Sequence, residues 1–331
     1  MTLLLNSFSH FLVDALCVTA LFSAGEAGDA LLTGVLLYNT LAFSTQCFVG
    51  LLIDRCRSCK APELASFALV LLGFALPLPY LLRIALFGLG NSLFHVAAGT
   101  VTLRRSGDRA WQLGIFVAPG AFGVTLGTLY PRFGWVLAAL MLVCTVLLLL
   151  DKPEPEGWQG SAKTASAFPA LPVLLLTAAV AVRALGGVAV SFLWKETALD
   201  AFLMTAFVFA GKCAGGFVCD RLGAKRSAWL SIPLAAVCVA FFSPSMPLSL
   251  AGQLLLNLTM PVTLWLLYRL MPDSPGFAFG LAASALWPGT IAGRFISLSG
   301  PYLRAFVIVT FLFGLAAIVY CNAYMSKRNI L

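Results

Sequence analysis

The sequence is built from apolar stretches about as long as a lipid bilayer is thick, separated by short polar breaks. A helix needs about 20 such residues to cross the hydrocarbon core. Since backbone N–H and C=O groups find no water there, only helices and closed barrels cross it. Charged residues make up 10% of the chain, compared with about 25% in soluble domains. The sequence therefore predicts an all-α integral membrane protein and not a soluble fold.

Twelve transmembrane helices are predicted, with ends set to within about 2–4 residues. They cover residues 7–23, 30–53, 63–82, 84–103, 110–131, 134–150, 169–194, 199–219, 228–243, 248–271, 277–296 and 302–324. The first stretch contains Asp14 and has no Lys or Arg before His10. It is therefore expected to be retained as a helix and not removed as a signal peptide.

The positions of Lys and Arg predict the orientation, because short cytoplasmic loops carry an excess of both. One side has Arg55, Arg57, Lys60, Arg104, Arg105, Arg109, Lys152, Lys163, Arg221, Lys225, Arg226, Arg269, Lys327 and Arg328, and the other has Arg83, Arg132, Lys195 and Arg304. We expect a multi-pass protein of the cell (inner) membrane with both termini cytoplasmic. The formal net charge of +8 is attributed to orientation and to contact with anionic lipids, not to nucleic acid.

The chain repeats itself. Asp54 and Asp220 follow the second predicted span of each half, and the same offset carries Asn91 onto Asn257. A slightly larger offset relates the stretch "APGAFG" at 118–123 to "WPGTIAG" at 287–293. We predict two pseudo-symmetric six-helix bundles, 1–150 and 169–331, joined by a cytoplasmic linker, 151–168, that is rich in Pro, Gly and Ser.

A loop pattern, G-x-x-x-D-R-x-x-x-[KR], follows the second span of each half. The second copy matches it with Gly216, Asp220, Arg221 and Lys225, and the first copy has Gly50, Asp54 and Arg55, with Lys60 one position later than the pattern requires. The pattern resembles the signature loop of major facilitator superfamily transporters. The resemblance covers the whole chain and implies gating roles for Asp54, Arg55, Asp220 and Arg221. On physical grounds, Asp54 is expected either to cap the next helix or to pair with a cation from the opposite half.

Two shorter segments narrow the resemblance. "SHFLVDALCV" at 9–18 and "GLGNSLFHVAAG" at 88–99 resemble the H-F-x-x-D and G-x-x-x-x-F-H segments of the fosmidomycin-resistance branch of that superfamily, which exports drugs. Val96 stands where a proline often follows the second histidine. The resemblance implies efflux by an antiporter.

Ionisable residues within the predicted spans are candidates for the functional site. Each costs about 2.5–3.5 kcal/mol near the bilayer centre unless it faces a cavity or a partner. In the first half these are Asp14, His10 one turn before it, and His95 with Asn91 one turn before it. We expect them to bind substrate or couple protons, although His10 and His95 are also explained as interhelical hydrogen-bond partners.

The second half contributes cations instead. Arg183 lies at a place equivalent to that of Asp14, and Lys212, Asn257 and Arg294 complete the predicted site. Arg294 and Lys212 are also explained by side chains that extend to the membrane interface. Opposite charges on the first helix of each half are expected to face one central cavity. Fixed cations there favour an anionic organic substrate, because guanidinium binds carboxylate or phosphonate in a bidentate manner.

These features predict a proton-coupled secondary transporter that exports a small organic anion by alternating access. Proton-linked uptake of a carboxylate or phosphonate nutrient is the alternative transport function. A membrane receptor or scaffold that transports nothing is the alternative outside transport. No enzyme activity is predicted, since neither H-E-x-x-H nor G-x-S-x-G occurs. No cofactor or metal is predicted, because the one C-x-x-C pair, Cys56 and Cys59, has no second pair or nearby histidine. The expected partners of this monomer are its substrate, protons and lipids.

Overall fold

The computed structural model describes residues 2–23, 27–151 and 168–330. Apart from its two end residues, the predicted linker at 151–168 lies outside the described residues. Within the described part of the chain all regular secondary structure is helical and there is no strand. The expectation of an all-α protein is therefore confirmed.

The described α-helices are numbered in chain order. They are α1 (Thr2–Ser23), α2 (Gly28–Asn39), α3 (Gln46–Ile53), α4 (Lys60–Ala75), α5 (Tyr80–Ser106), α6 (Trp111–Val117), α7 (Gly120–Leu129), α8 (Gly134–Leu150), α9 (Ala170–Val188), α10 (Ala198–Leu222), α11 (Ala224–Phe242), α12 (Met246–Asn257), α13 (Thr259–Leu270), α14 (Pro275–Ser284), α15 (Leu286–Arg294) and α16 (Gly300–Lys327). A π-helical turn, Thr40–Ser44, joins α2 to α3, and a 3₁₀ turn, Pro131–Phe133, precedes α8.

Ten helical stretches among the described residues are long and apolar enough to cross a membrane, so the chain is a multi-pass membrane protein. The span predicted at 169–194 ends earlier, with α9 at Val188, and two of the twelve predicted spans do not form one helix of membrane-spanning length. The span predicted at 63–82 corresponds to α4, which ends at Ala75 before the prolines at 77 and 79, because proline cannot continue a helix. The span predicted at 277–296 is divided at Ala285 into α14 and α15.

The chain divides into two compact units. The first comprises Met1–Arg105, Ile115–Trp158 and Ser274–Ser284, and the second comprises Ser106–Gly114, Gln159–Asp273 and Ala285–Leu331. Each unit therefore contains a short segment from the other half of the sequence. The division into six-helix bundles at the linker stays a prediction.

In the first unit, a stripe of glycines on α7 lies against the backbone of α1. A Cβ atom added at Gly123 or Gly127 would lie less than 3.0 Å from the carbonyl oxygen of Phe11 or Ala15, respectively. Small residues four positions apart allow two helices to approach closely. In a membrane this close van der Waals packing holds helices together, because there is no hydrophobic driving force between them. The stripe fixes α7 beside the face of α1 that carries Asp14.

The second unit repeats this packing. Gly289 and Gly293 of α15 lie against α9, where a Cβ atom would come within 3.0 Å of the carbonyl oxygens of Ala181 and Leu185. The sequence offset that relates Asp54 to Asp220 also relates Gly123 to Gly289 and Gly127 to Gly293. The internal duplication seen in the sequence is thus present in how helices pack within each unit.

The orientation can be tested with cysteine substitutions at exposed positions. Arg57→Cys lies in the loop after α3, Arg226→Cys lies in the first turn of α11, and Ser299→Cys lies between α15 and α16. A membrane-impermeant maleimide is expected to label positions 57 and 226 only after permeabilisation, and position 299 in intact cells. Labelling of positions 57 and 226 from opposite sides would overturn the predicted topology.

Candidate functional site

Four polar side chains meet in the first unit. Asp14 and His10 lie on α1, and Asn91 and His95 lie on α5. His10 Nε2 is 3.3 Å from Asp14 Oδ2, His95 Nε2 is 3.6 Å from Asp14 Oδ1, and the two Nε2 atoms are 2.8 Å apart. The side-chain amide of Asn91 donates to Asp14 Oδ1 at 2.9 Å. We call these four residues the His–Asp cluster.

The other ring nitrogen of each histidine faces a backbone carbonyl. His10 Nδ1 lies 2.7 Å from Phe116 O and His95 Nδ1 lies 2.9 Å from Asn91 O. Because a carbonyl oxygen only accepts hydrogen bonds, each Nδ1 must carry the hydrogen and donate it. In the neutral rings the lone pairs are then on Nε2, and the two lone pairs face each other. A proton or another cation is needed there to make the contact attractive.

The surroundings of the His–Asp cluster are apolar. The side chains of His10, Asp14 and His95 are only 7%, 12% and 11% exposed. The rings of Phe94 and Phe116 lie 6.3 and 5.1 Å from the His10 ring, centroid to centroid. In such surroundings charge interactions are much stronger than in water.

A break in the helices shapes one wall of the His–Asp cluster. α6 ends at Val117 and α7 begins at Gly120 because Pro119 cannot continue the ladder of hydrogen bonds. The break leaves carbonyls of the last turn available, and that of Phe116 accepts from His10. A Cβ atom at Gly120 would lie less than 3.0 Å from His10 Nε2 and Asp14 Oδ2. Glycine at 120 therefore leaves the space that the two side chains occupy.

Arg183, the buried cation predicted for the second half, lies on α9 in the second unit. Its Nη1 donates to the Thr259 hydroxyl at 2.7 Å. The guanidinium lines a small cleft whose other walls include Leu256, Thr263 and Phe311. One hydroxyl partner satisfies only one of the five guanidinium N–H donors, which suits this group for an anionic ligand.

The remaining predicted residues of the second half are separate from this cleft's lining. Lys212 lies within α10, where its carbonyl oxygen closely faces Gly114. The Asn257 side chain donates to Gln253 O of its own helix at 2.8 Å. Arg294 is exposed in the last turn of α15, as expected of a side chain at a membrane interface.

Asp54 caps a helix that is far away in sequence. Its two carboxylate oxygens accept from the backbone N–H groups of Gly276 and Phe277, at 2.7 and 2.8 Å. These groups belong to the first turn of α14, whose N-terminus carries a partial positive charge. Burial raises the pKa of the Asp54 carboxyl, while the two N–H groups and Arg104 act in the opposite direction.

Asp220 makes the equivalent contact in the second unit. Its oxygens accept from the backbone N–H groups of Ala110 and Trp111, at 2.6 and 3.1 Å, at the start of α6. The sequence offset from Asp54 to Asp220 also relates Ala110 to Gly276 and Trp111 to Phe277. The two contacts are thus one motif in duplicate, which we call the paired caps.

The glycine of each signature loop permits its cap. A Cβ atom at Gly50 would lie less than 3.0 Å from Gly276 O, and one at Gly216 would lie equally close to Ala110 O. The neighbouring arginines, Arg55 and Arg221, are exposed beside their aspartates. The pattern G-x-x-x-D therefore combines a close helix approach with a cap one turn later.

Sequence reasoning missed several residues of these sites. Phe116 contributes only a backbone carbonyl, so no side-chain pattern marks it. Gly120 stands in the sequence only as part of the repeated stretch "APGAFG". Outside these sites, Glu63 at the start of a predicted span is a further buried acid, 2% exposed, that accepts from Asn6 at 3.4 Å. The sequence feature that could have indicated a buried acid is the position of Glu63 at the edge of an apolar stretch.

No protein-family model and no curated protein sequence matches the chain. Among solved structures it is similar to the major facilitator superfamily transporter FucP in the outward conformation, with a TM-score of 0.70 and 13% identity over 97% of this chain and 98% of that one. A variant of the E. coli fucose:proton symporter FucP gives a TM-score of 0.69 and 13% identity, with the same coverage of both chains.

A bacterial homologue of the iron transporter ferroportin in the outward-facing state is also similar. Its TM-score is 0.65 at 14% identity, over 98% of this chain and 100% of that one. At such identities the likeness shows the fold. The chain has the fold of major facilitator superfamily transporters.

The cap at Asp54 makes a prediction for stability. Because burial raises its pKa in the folded state, the folded protein binds a proton here more readily than the unfolded chain does. The stability gained from that proton is present in acid and is lost as the pH rises through the raised pKa. The melting temperature of the wild type relative to Asp54→Asn is therefore expected to fall from about pH 4 to pH 8.

Thermal unfolding of both purified proteins across this range provides the measurement. A wild type that gains stability relative to Asp54→Asn as the pH rises would contradict it.

Proposed function

We propose that this protein is a member of the major facilitator superfamily that transports a small organic anion by alternating access, driven by protons. The fold supports a secondary transporter, since the similar structures are transporters. The observation that carries the proposal is the His–Asp cluster, a group of buried ionisable side chains within a membrane-spanning unit. Such groups mark ion and proton pathways in membrane proteins because they are costly to retain otherwise.

The His–Asp cluster is suited to take up one proton. A hydrogen between the two Nε2 atoms turns a repulsive contact into a hydrogen bond, and Asp14 beside it stabilises the resulting positive charge. The other titratable groups nearby are Tyr38 and Cys17, which interact with Asp14 and Asn91. The residue of α7 that faces His10 and Asp14 is Gly120, which has no titratable side chain. The proton is therefore assigned to the two imidazoles and Asp14.

Arg183 is assigned to the anionic group of the substrate. It has one described hydroxyl partner, Thr259, and it faces a cleft with few polar side chains. A carboxylate or phosphonate would accept hydrogen bonds from other N–H groups of the guanidinium in a bidentate manner. Lys212, Asn257 and Arg294 stay candidates for further contacts with the substrate.

Export is the direction that the sequence supports. The two segments that resemble the fosmidomycin-resistance exporters, 9–18 and 88–99, contain all four residues of the His–Asp cluster. The feature that carries the resemblance is therefore the same feature that carries the proton in this proposal. From this resemblance we infer that protons are exchanged for substrate. The membrane is the inner membrane, with both termini on the cytoplasmic side.

Proton-linked uptake is a second candidate, and one observation favours it. A protein with the same fold is named as a fucose:proton symporter. The two candidates differ in how proton and substrate affect each other, because symport needs mutual support and exchange needs competition.

The paired caps are assigned to gating. Asp54 and Asp220 each hold the N-terminus of a helix contributed by the opposite half of the sequence. The hydrogen bonds between a carboxylate and two N–H groups can break and form again without any covalent change. Burial raises the pKa of Asp54 and so disfavours the charged carboxylate that makes this contact. Such caps are suited to close one side of the protein reversibly.

Proteoliposomes test this proposal with fosmidomycin as the anionic probe. Protein is reconstituted with a chelator present, and proton movement is followed with an internal pH-sensitive dye. Fosmidomycin is expected to drive proton flux in the wild type and none in Asp14→Asn, although the variant still binds the probe. Glu63→Gln, which removes a buried acid elsewhere in the first unit, serves as the matched control and should retain flux.

The role of Arg183 is tested by binding. Arg183→Ala is expected to weaken binding of fosmidomycin about ten- to a hundredfold, the range for losing a charge-assisted hydrogen bond. Binding of a neutral phosphonate diester should change little. Equal losses for both compounds would show that Arg183 serves packing, and unchanged fosmidomycin binding would remove Arg183 from the substrate site.

A further inference from the structure

We propose that His10, Asp14 and His95 form a binding site for a divalent transition-metal ion of the Zn²⁺ or Co²⁺ type. The ion would occupy the position that a proton takes in the transport proposal. The inference goes beyond that proposal and does not depend on it, because ion binding needs no transport. No ion is present in the structure, and each of the three side chains offers one ligand atom.

The spacing of the three ligand atoms fits one ion. With bonds of about 2.0–2.1 Å and tetrahedral angles, two ligand atoms lie about 3.3 Å apart. The two Nε2 atoms are 2.8 Å apart, His10 Nε2 is 3.3 Å from Asp14 Oδ2, and His95 Nε2 is 3.6 Å from the other carboxylate oxygen, Oδ1. With one ligand atom from each residue, the three atoms lie within 4.8 Å of one another. The carboxylate then has to turn one oxygen towards both rings. The two Nε2 atoms need to move apart by only a few tenths of an ångström to accept the ion.

The ring nitrogens are already in the state that a metal requires. Hydrogen bonds to Phe116 O and Asn91 O place the hydrogens of both neutral rings on Nδ1. Both Nε2 lone pairs then face each other beside the Asp14 carboxylate. A divalent cation satisfies all three groups together, whereas a proton bonds to at most two of them.

The surrounding hydrogen bonds are those that support metal-bound histidines and carboxylates. Such histidines donate their second N–H to a carbonyl or carboxylate, which fixes the ring orientation. Both histidines here do so, and the Asn91 amide donates to Asp14 Oδ1. A glycine at 120 keeps the space beside His10 Nε2 and Asp14 Oδ2 free of a side chain.

The ligand set indicates the class of ion. Two imidazoles and one carboxylate suit Zn²⁺, Co²⁺ and related transition ions, whereas Mg²⁺ and Ca²⁺ prefer oxygen ligands alone. Three protein ligands leave a fourth position for water. Deprotonated ligands are required, so binding of the ion displaces the proton of the transport proposal and weakens in acid.

Calorimetric titration of purified, chelator-treated protein with Zn²⁺ tests the site, using protein free of a polyhistidine tag. One Zn²⁺ per chain is expected, and Mg²⁺ should not compete. Co²⁺ should give the visible absorption of a four-coordinate ion without a sulfur charge-transfer band. That band would instead place the ion on cysteines and overturn the proposal.

Substitutions then assign the ligands. Asp14→Asn and His95→Gln are expected to weaken Zn²⁺ binding more than about 100-fold. Asn91→Ala, which removes only a hydrogen bond to a ligand, should weaken it by about 10- to 100-fold. Gly120→Ala should also weaken it, by intruding on His10 and Asp14. Glu63→Gln is the matched control with unchanged binding expected, and elution volume and melting temperature establish that each variant is folded.

A measurement on the wild type covers the case in which a variant does not fold. Diethyl pyrocarbonate modifies imidazole nitrogen, and the chain has only two histidines. Zn²⁺ but not Mg²⁺ should protect both from modification, as read by mass spectrometry. Unprotected histidines, or Zn²⁺ affinity unchanged in folded Asp14→Asn, would overturn the metal site. Fosmidomycin-driven proton flux under chelator would still stand, so the two proposals fail separately.

Discussion

Two imidazole rings held with their Nε2 atoms 2.8 Å apart beside a carboxylate are the constraint on which the rest of this account depends. Each ring is fixed from behind by a carbonyl, that of Phe116 or that of Asn91, so the rings cannot turn their hydrogens towards each other without losing a buried hydrogen bond. An unsatisfied buried group costs about 1–3 kcal/mol. A cation between the rings relieves that conflict, and both the proton and the metal proposals follow from it.

The helix packing around the two imidazole rings brings α1, α5 and the break between α6 and α7 together. Glycines on α7 allow a close approach to α1, and Pro119 ends α6 where the carbonyl of Phe116 is needed. The second unit has the same glycine packing but presents Arg183 in place of acid and histidine. Duplication thus preserved the packing and the caps, while the chemistry of the two halves diverged. This division of roles fits a transporter in which one half carries the coupling ion and the other carries the anionic group.

Much of the fold could be predicted from the sequence, because apolar stretches of bilayer length and the repeated G-x-x-x-D-R pattern are strong local signals. The grouping of His10, Asp14, Asn91 and His95 was anticipated only as a set of candidates, since a one-turn spacing shows which residues share a helix face but not which helices meet. The partner of Asp54 could not be predicted. It is a pair of backbone N–H groups more than two hundred residues away, and backbone groups leave no mark in a sequence. A metal site could not be predicted, because its three ligands lie on α1 and α5, which are far apart in sequence.

The hydrogen positions on the two rings test this account most directly. Nitrogen NMR of protein labelled with ¹⁵N-histidine gives four ring signals, because the chain has only two histidines. In chelator-treated, tag-free protein at a pH at which both rings are neutral, both Nδ1 atoms should have the shift of a protonated nitrogen and both Nε2 atoms that of an unprotonated one. On addition of Zn²⁺ only the Nε2 signals should move strongly. An unprotonated Nδ1 in either ring would contradict the account, because the facing lone pairs that require a cation would then not exist.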